Sequence, residues 1–97
     1  MNLYFHSEAE DELTEAALYY AEARPSLGEA FVSAVEHACN RVAAQPLLGA
    51  LIADDNIRRA QVARFPYSII YRVLSDRVRV LAIVHHRRNP NFWHGRQ

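Results

Sequence analysis

The segment His85-His86-Arg87-Arg88 sets two proton carriers beside two permanently charged guanidinium forks. Upstream, Arg58, Arg64 and Arg72 add further cations, and Tyr67 and Tyr71 add phenols. Cleavage of an RNA backbone needs these residue types: a general base for a ribose 2′-hydroxyl, a general acid, and cations around the phosphate. On that chemistry His85 or His86 carries protons, Arg58, Arg64, Arg72, Arg87 and Arg88 clamp the phosphate, and Tyr67 or Tyr71 stacks or acts as acid. The same arginines equally suit a protein surface, where arginine and tryptophan are common anchors. Trp93 either serves as such an anchor or packs back on the fold. Adjacent histidines at a strand end face opposite sides, which more often gives one packed and one solvated ring than a catalytic pair. No Cys-x-x-Cys or His-x-x-x-His spacing occurs, so neither a metal nor a cofactor is expected.

Net charge is zero, but the charges divide along the chain. Residues 1–55 carry ten acidic residues against Arg24 and Arg41, a net of −8, whereas residues 56–97 carry nine arginines against Asp76 alone, a net of +8. Every cation is arginine and none is lysine. The basic half therefore consists of planar forks suited to carboxylates, phosphates or aromatic rings. Either the halves neutralise each other within the fold or one of them faces a partner.

The elements that must position these groups follow from periodicity. Residues 2–6 predict a short aromatic strand. Ser7 with Glu10 predicts a capping box for a helix running to about Ala23, with Leu13, Ala16, Ala17 and Tyr20 on one face. Pro25 breaks it, and Ser26 with Glu29 predicts a second capping box. The stripe Leu27, Phe31, Val35, Ala38 and Val42 then marks a second, buried helix face antiparallel to the first. A turn falls at Gln45 to Gly49, and no clear period follows as far as Asn56. Strands are expected over 57–64, from Tyr67 to Leu74, and from Arg77 to His85, with Ser75-Asp76 as a hairpin turn. In the last strand Val78, Val80, Ala82 and Val84 should share one face, while Leu81 and Ile83 suggest cover on the other side at its far end. Asn89-Pro90 predicts the N-cap and first residue of a short terminal helix closed by Gly95. The order β-α-α-β-β-β implies an α+β fold: a helical hairpin packed on a small antiparallel sheet, with the arginines on its other face.

Ninety-seven residues, 51% of them hydrophobic, make one domain over 1–97 with one core. The single cysteine, Cys39, excludes an internal disulfide and lies beside the apolar stripe of helix two, as a small buried hydrophobe would. The first residues lack the basic and apolar runs of a signal peptide, and no run reaches membrane-spanning length, so a cytoplasmic protein without membrane contact is expected.

The chain resembles the RelE/ParE toxins of type II, plasmid-stabilisation toxin–antitoxin systems, and is closer to the ParE branch. The resemblance rests on Glu12 to Tyr20, the Pro46-to-Gly49 turn, Arg64-Phe65-Pro66-Tyr67 leading to Tyr71-Arg72, and His85 to Trp93. It implies a growth-inhibiting toxin held inactive by a cognate antitoxin. ParE-like members poison DNA gyrase, whereas RelE-like members cleave messenger RNA on the ribosome. The absence of lysine and the neutral balance favour the former. On that reading target recognition is expected at Arg72, Arg87, Arg88 and Trp93, with the antitoxin at Arg58, Arg64 and Arg79 and no catalytic residue. On the RelE-like alternative, His85, His86, Arg88 and Tyr71 are the catalytic candidates. A non-toxic interaction module of the same fold is a third reading.

Overall fold

The computed structural model describes residues 1–89 and 91–97; Pro90, expected as the first residue of a terminal helix, lies outside them. The chain runs β1 (Asn2–Phe5), α1 (Ser7–Ala23), α2 (Pro25–Ala44), β2 (Ala50–Ala53), β3 (Ile57–Gln61), β4 (Tyr67–Val73) and β5 (Arg77–His85). This is the expected α+β fold with one strand more.

α1 begins one residue, and α2 two residues, earlier than the capping boxes predicted. His6, not Ser7, caps α1: its Nδ1 accepts from the Glu8 amide at 3.1 Å, so Ser7 already lies inside the helix. Arg24 alone separates the helices. Its amide donates to Tyr20 O at 3.1 Å to close α1, and Pro25 opens α2 at a position where the missing N–H costs nothing, with no side-chain cap from Ser26. Such a short link holds α1 and α2 face to face. Gly28 permits the approach, because a Cβ there would lie 2.8 Å from Ala17 O.

The sheet order is β1-β5-β4-β3-β2. It is mixed, not purely antiparallel: β1 pairs parallel to β5, from Asn2↔Arg77 to Phe5↔Val80. A hairpin would force antiparallel pairing, but β1 and β5 are joined through the whole fold and are free of that constraint. β2, absent from the sequence reading, pairs with β3 through a turn in which Asp55 and Asn56 take positive φ (61° and 57°). Asp and Asn tolerate that left-handed backbone best among residues other than glycine. β3 stops at Gln61 and not at Arg64, whose φ of 71° is incompatible with a strand.

β5 contains a bulge. Ile70 faces Ala82 while Tyr71 faces Val80, which leaves Leu81 as the extra residue. The expected single face is thereby split: Val78, Val80 and Ile83 join Phe31, Val35, Val42, Ile69 and Tyr71 under the helices, whereas Leu81, Ala82 and Val84 join Ile70 and Trp93 on the opposite face. The far end of β5 is covered on both sides, as expected, and the C-terminal segment supplies the second cover.

That segment is not a helix. Asn91 to Gly95 form turns closed by His94 N to Asn91 O and Arg96 N to Trp93 O, both 3.1 Å, and Asn89 Oδ1 accepts from the Asn91 amide at 2.9 Å. A run this short cannot offset helix nucleation, and Trp93 and Arg96 are anchored elsewhere. The arginines therefore do not own the second face. Its upper part is apolar and covered, while Arg72 and Arg79, opposite each other across β4 and β5, are half-buried beyond it.

Candidate functional site

β4 and β5 deliver the histidines to one end of the sheet. Tyr67 pairs with His85, and their rings meet edge to face at 5.1 Å. The His86 amide donates to Pro66 O at 2.9 Å, so the chain after β5 stays fastened to the turn before β4. There the side chains diverge, as strand alternation requires. His85 Nδ1 accepts from the Arg87 amide at 3.0 Å, which leaves the proton of a neutral ring on Nε2. His86 Nε2 lies 3.1 Å from the hydroxyl of Ser68, which is buried. The two rings thus serve different neighbours.

A shallow cavity of about 250 Å³ opens beside His85, lined by Glu15 and Tyr19 of α1, Tyr67, and Arg88. It contains an acid, phenols, an imidazole and a cation. Burial, with Tyr20 and Tyr19 as lesser causes, raises the Tyr67 pKa above that of an ordinary phenol, so Tyr67 is a hydrogen-bond donor and a poor base. Arg87 and Arg88 are exposed, and the Arg88 guanidinium sits 3.8 Å from the centre of the Phe92 ring, which fixes its direction.

The other predicted residues lie elsewhere. Tyr71 is fully buried; its hydroxyl donates to Pro46 O at 2.9 Å and accepts from the Gly49 amide at 2.8 Å. That occupancy makes it a fastener for the Pro46-to-Gly49 turn and removes it from the catalytic candidates. Arg58 holds the same turn, donating to Gly49 O at 2.8 Å and to Asn56 Oδ1 at 2.8 Å. Gly49 must lack a Cβ, which would meet the Tyr71 hydroxyl and, at 2.6 Å, Arg59 O. Arg64 is exposed on the loop between β3 and β4, where it borders a cavity of about 540 Å³ with Leu27, Ala34, His37 and Phe65.

Arg72 is ion-paired with Asp55 at 2.9 Å and sits opposite Arg79, about 20 Å of extended strand from His85. It does not share a patch with Arg87 and Arg88. Arg79 Nε is buried without a hydrogen-bond partner among the described residues. Trp93, expected as a target anchor, is 5% exposed and belongs to the core, packed with Ile70, Leu81, Ala82 and Val84. Of the four target residues named from sequence, only Arg87 and Arg88 form one exposed surface.

Sequence reasoning missed two residues that hold this end together. Arg96 bonds Glu12 at 3.0 and 2.9 Å and reaches Glu8 at 2.8 Å. The hydrogen bond with Glu12 is the chief cause that raises the Arg96 pKa, against the opposing effect of burial. Cys39 is buried as expected; burial, and secondarily Glu36, push its thiol up to about 11, so it is inert at neutral pH. No cluster of three or more metal-ligating side chains occurs among the described residues, and no described helix is long and apolar enough to cross a membrane.

The comparison that decides the family covers nearly the whole fold. Residues 3–90 match the ParE toxin of the type II toxin–antitoxin system parDE. The chain belongs to the ParE toxin family. Toxin ParE2 of Mycobacterium tuberculosis, in strains CDC 1551 / Oshkosh and ATCC 25618 / H37Rv, is 33% identical over 93 residues, which cover 92% of this chain and 85% of the relative. A solved structure described as the chromosomal ParDE TA system from P. aeruginosa superposes with a TM-score of 0.76 at 19% identity. It covers 88% of this chain and 95% of that one, and so shares the fold. The ParE match spans β1 to β5 together with His85 to Asn89, and excludes Trp93 and Arg96. The clamp formed by the last residues thus lies beyond the matched region.

Proposed function

We propose that this ParE-family chain is a growth-inhibiting toxin that poisons DNA gyrase by surface recognition, and that a cognate antitoxin neutralises it in the cytoplasm. The single observation that carries the reading is the ParE match over residues 3–90. The geometry at the end of β5 supports recognition over catalysis. His85 and His86 are engaged with different neighbours, Tyr71 is sealed in the core, and the exposed Arg87-Arg88 pair offers two guanidinium forks, that of Arg88 directed by Phe92, for an acidic surface. Arg79, towards the other end of β5 from that pair, and Arg64, on the loop before β4, are the cations left for the antitoxin, while Arg58 is committed to the fold.

The cavity beside His85, with its acid, phenols and arginine, favours the second reading, a ribosome-dependent messenger RNA endonuclease. The test uses purified protein with gyrase and supercoiled plasmid in one arm, and with ribosomes and messenger RNA in the other. Trapped DNA cleavage by gyrase is the expected result. Ribosome-dependent RNA cleavage with no effect on gyrase overturns the proposal in favour of the nuclease. Inactivity in both arms, with no slowing of growth on induced expression, leaves a non-toxic interaction module.

A further inference from the structure

The two flanks of the sheet are finished differently. Beyond the end of β1, the free side of β5 is capped by the Glu12–Arg96 pair. On the opposite flank, β2 is an edge strand of the sequence Ala-Leu-Ile-Ala, with neither a charge nor a proline to blunt it. Leu47, Leu48, Leu51 and Ile52 are 63, 48, 60 and 40% exposed. These four apolar side chains, on β2 and in the turn before it, make an exposed apolar edge of the kind that commonly marks a binding surface.

The charges around that patch identify its occupant. Arg59 pairs with Ala50 at the start of β2, and Arg41 borders the same groove from α2. Asp54 follows the end of β2, exposed. None of the three has an ion-pair partner among the described residues. The edge is therefore basic at its start, apolar in the middle and acidic at its end. An acidic peptide satisfies only one end. A second β2 laid antiparallel satisfies both, because a two-fold axis brings each Arg59 toward the other copy's Asp54 and sets apolar residues against apolar residues.

We propose that this face is a self-association surface through which two copies pair about a two-fold axis, β2 antiparallel to β2. The irregularity between Leu51 and Ala53 interrupts the backbone ladder, so side chains carry the contact more than inter-strand hydrogen bonds. Net charge zero removes long-range repulsion between copies. A contact built on one four-residue strand per copy lies at the small end of, or below, the roughly 1,200–2,000 Å² of stable interfaces, so the dimer is reversible and concentration-dependent. The surface lies apart from Arg87 and Arg88 and goes beyond the proposed toxicity.

Sedimentation velocity on the full chain over a concentration series tests it. The parent should pass from monomer to dimer, and Leu51→Lys should remain monomeric at every concentration. Arg59→Glu alone sets a carboxylate against the other copy's Asp54 at both ends of the interface. Asp54→Lys alone sets an ammonium against the other copy's Arg59 at both ends. Each variant should dimerise at least about tenfold more weakly. Mixed in equal amounts, the two variants should recover a heterodimer, since one end then joins the two introduced charges and the other joins the native Arg59 and Asp54. Circular dichroism melting confirms that each variant is folded. A parent that stays monomeric throughout, a dimer that survives Leu51→Lys, or a mixture that fails to recover association overturns the proposal.

Discussion

Arg96 and Glu12, 84 residues apart, act as the missing neighbour of β5. β1 pairs with β5 only as far as Val80. Beyond it Arg96 Nη1 donates to Leu81 O at 2.9 Å, and Glu12 Oε1 accepts from the Ile83 amide at 3.0 Å, while the two side chains bond each other. A charged pair thus satisfies backbone groups that flank the bulge, and it ties the C-terminal segment to α1. Both side chains are about nine-tenths buried, at 10% and 12% exposure.

Removing one partner should therefore be expensive. Arg96→Met strands the Glu12 carboxylate and the Leu81 carbonyl, with an expected loss of about 3–5 kcal/mol in urea unfolding. Adding Glu12→Leu should recover part of that loss, because the buried uncompensated charge is gone while the backbone groups remain unmet. A loss below about 0.5 kcal/mol for Arg96→Met would mean that the pair behaves as an exposed one.

Phe31 is fully buried and meets Tyr20, Phe65 and Tyr67 at 5.2, 5.1 and 4.9 Å between ring centres. Phe31→Ala should cost about 3–5 kcal/mol, a large share of a small domain's stability. Thermal melting within a degree or two of the parent would refute the packing of α2 on the sheet.

These two sites show what was legible in the sequence and what was not. Phe31, Val35, Ala38 and Val42 follow a helical period, so the buried face of α2 could be read residue by residue. The alternation of β4 was equally clear, with Ile69 and Tyr71 on one side and Ile70 on the other. The bulge at Leu81 left no mark, because the residues around it are apolar on both faces and an inserted residue does not interrupt that run. β2 was invisible for the opposite reason: a short exposed edge strand needs no alternation. Glu12 and Arg96 looked like ordinary surface charges, since nothing local relates residues so far apart. Trp93 could be read either way, and only the covered face of β5 decides for the core.

Alkaline pH should weaken the fold through Cys39. Its thiol lies at about 11 in the folded protein, above the ordinary value of 9.0, so the unfolded chain ionises first and the stabilisation present below pH 9 is lost as pH rises through 11. Tyr20 and Tyr67, also raised by burial, act in the same direction at higher pH. Cys39→Ala should flatten the first part of this decline in urea titrations between about pH 8 and 11. In the native protein at neutral pH the thiol should not react with a disulfide reagent; rapid modification would place Cys39 at the surface.

Tyr71→Phe should separate fastening from chemistry. The change deletes a hydroxyl that bonds both Pro46 O and the Gly49 amide, so about 1–3 kcal/mol of stability should be lost. Toxicity, measured at a temperature where the variant remains folded, should persist. Its disappearance from a folded protein would return Tyr71 to the catalytic candidates.

The last experiment discriminates recognition from acid–base catalysis, and the structure dictates its variants. Truncation before Trp93 is uninformative, because it removes a core side chain and the Arg96 clamp together and destabilises the fold whatever the target. Arg88 also covers Phe92, so the cleaner probe is Arg87, which is exposed and has no side-chain partner among the described residues. Arg87→Glu should abolish toxicity with an unchanged melting curve if a charged surface is recognised. His85→Gln with His86→Gln, which keeps hydrogen-bonding capacity without a titrating proton carrier, should leave most toxicity intact. On the nuclease reading the order reverses: the histidine changes cost about 10²-fold or more in RNA cleavage through lost proton transfer. Growth inhibition that survives Arg87→Glu but falls with the glutamines would overturn the gyrase proposal, because a surface-recognising protein has no need of a titrating ring at that position.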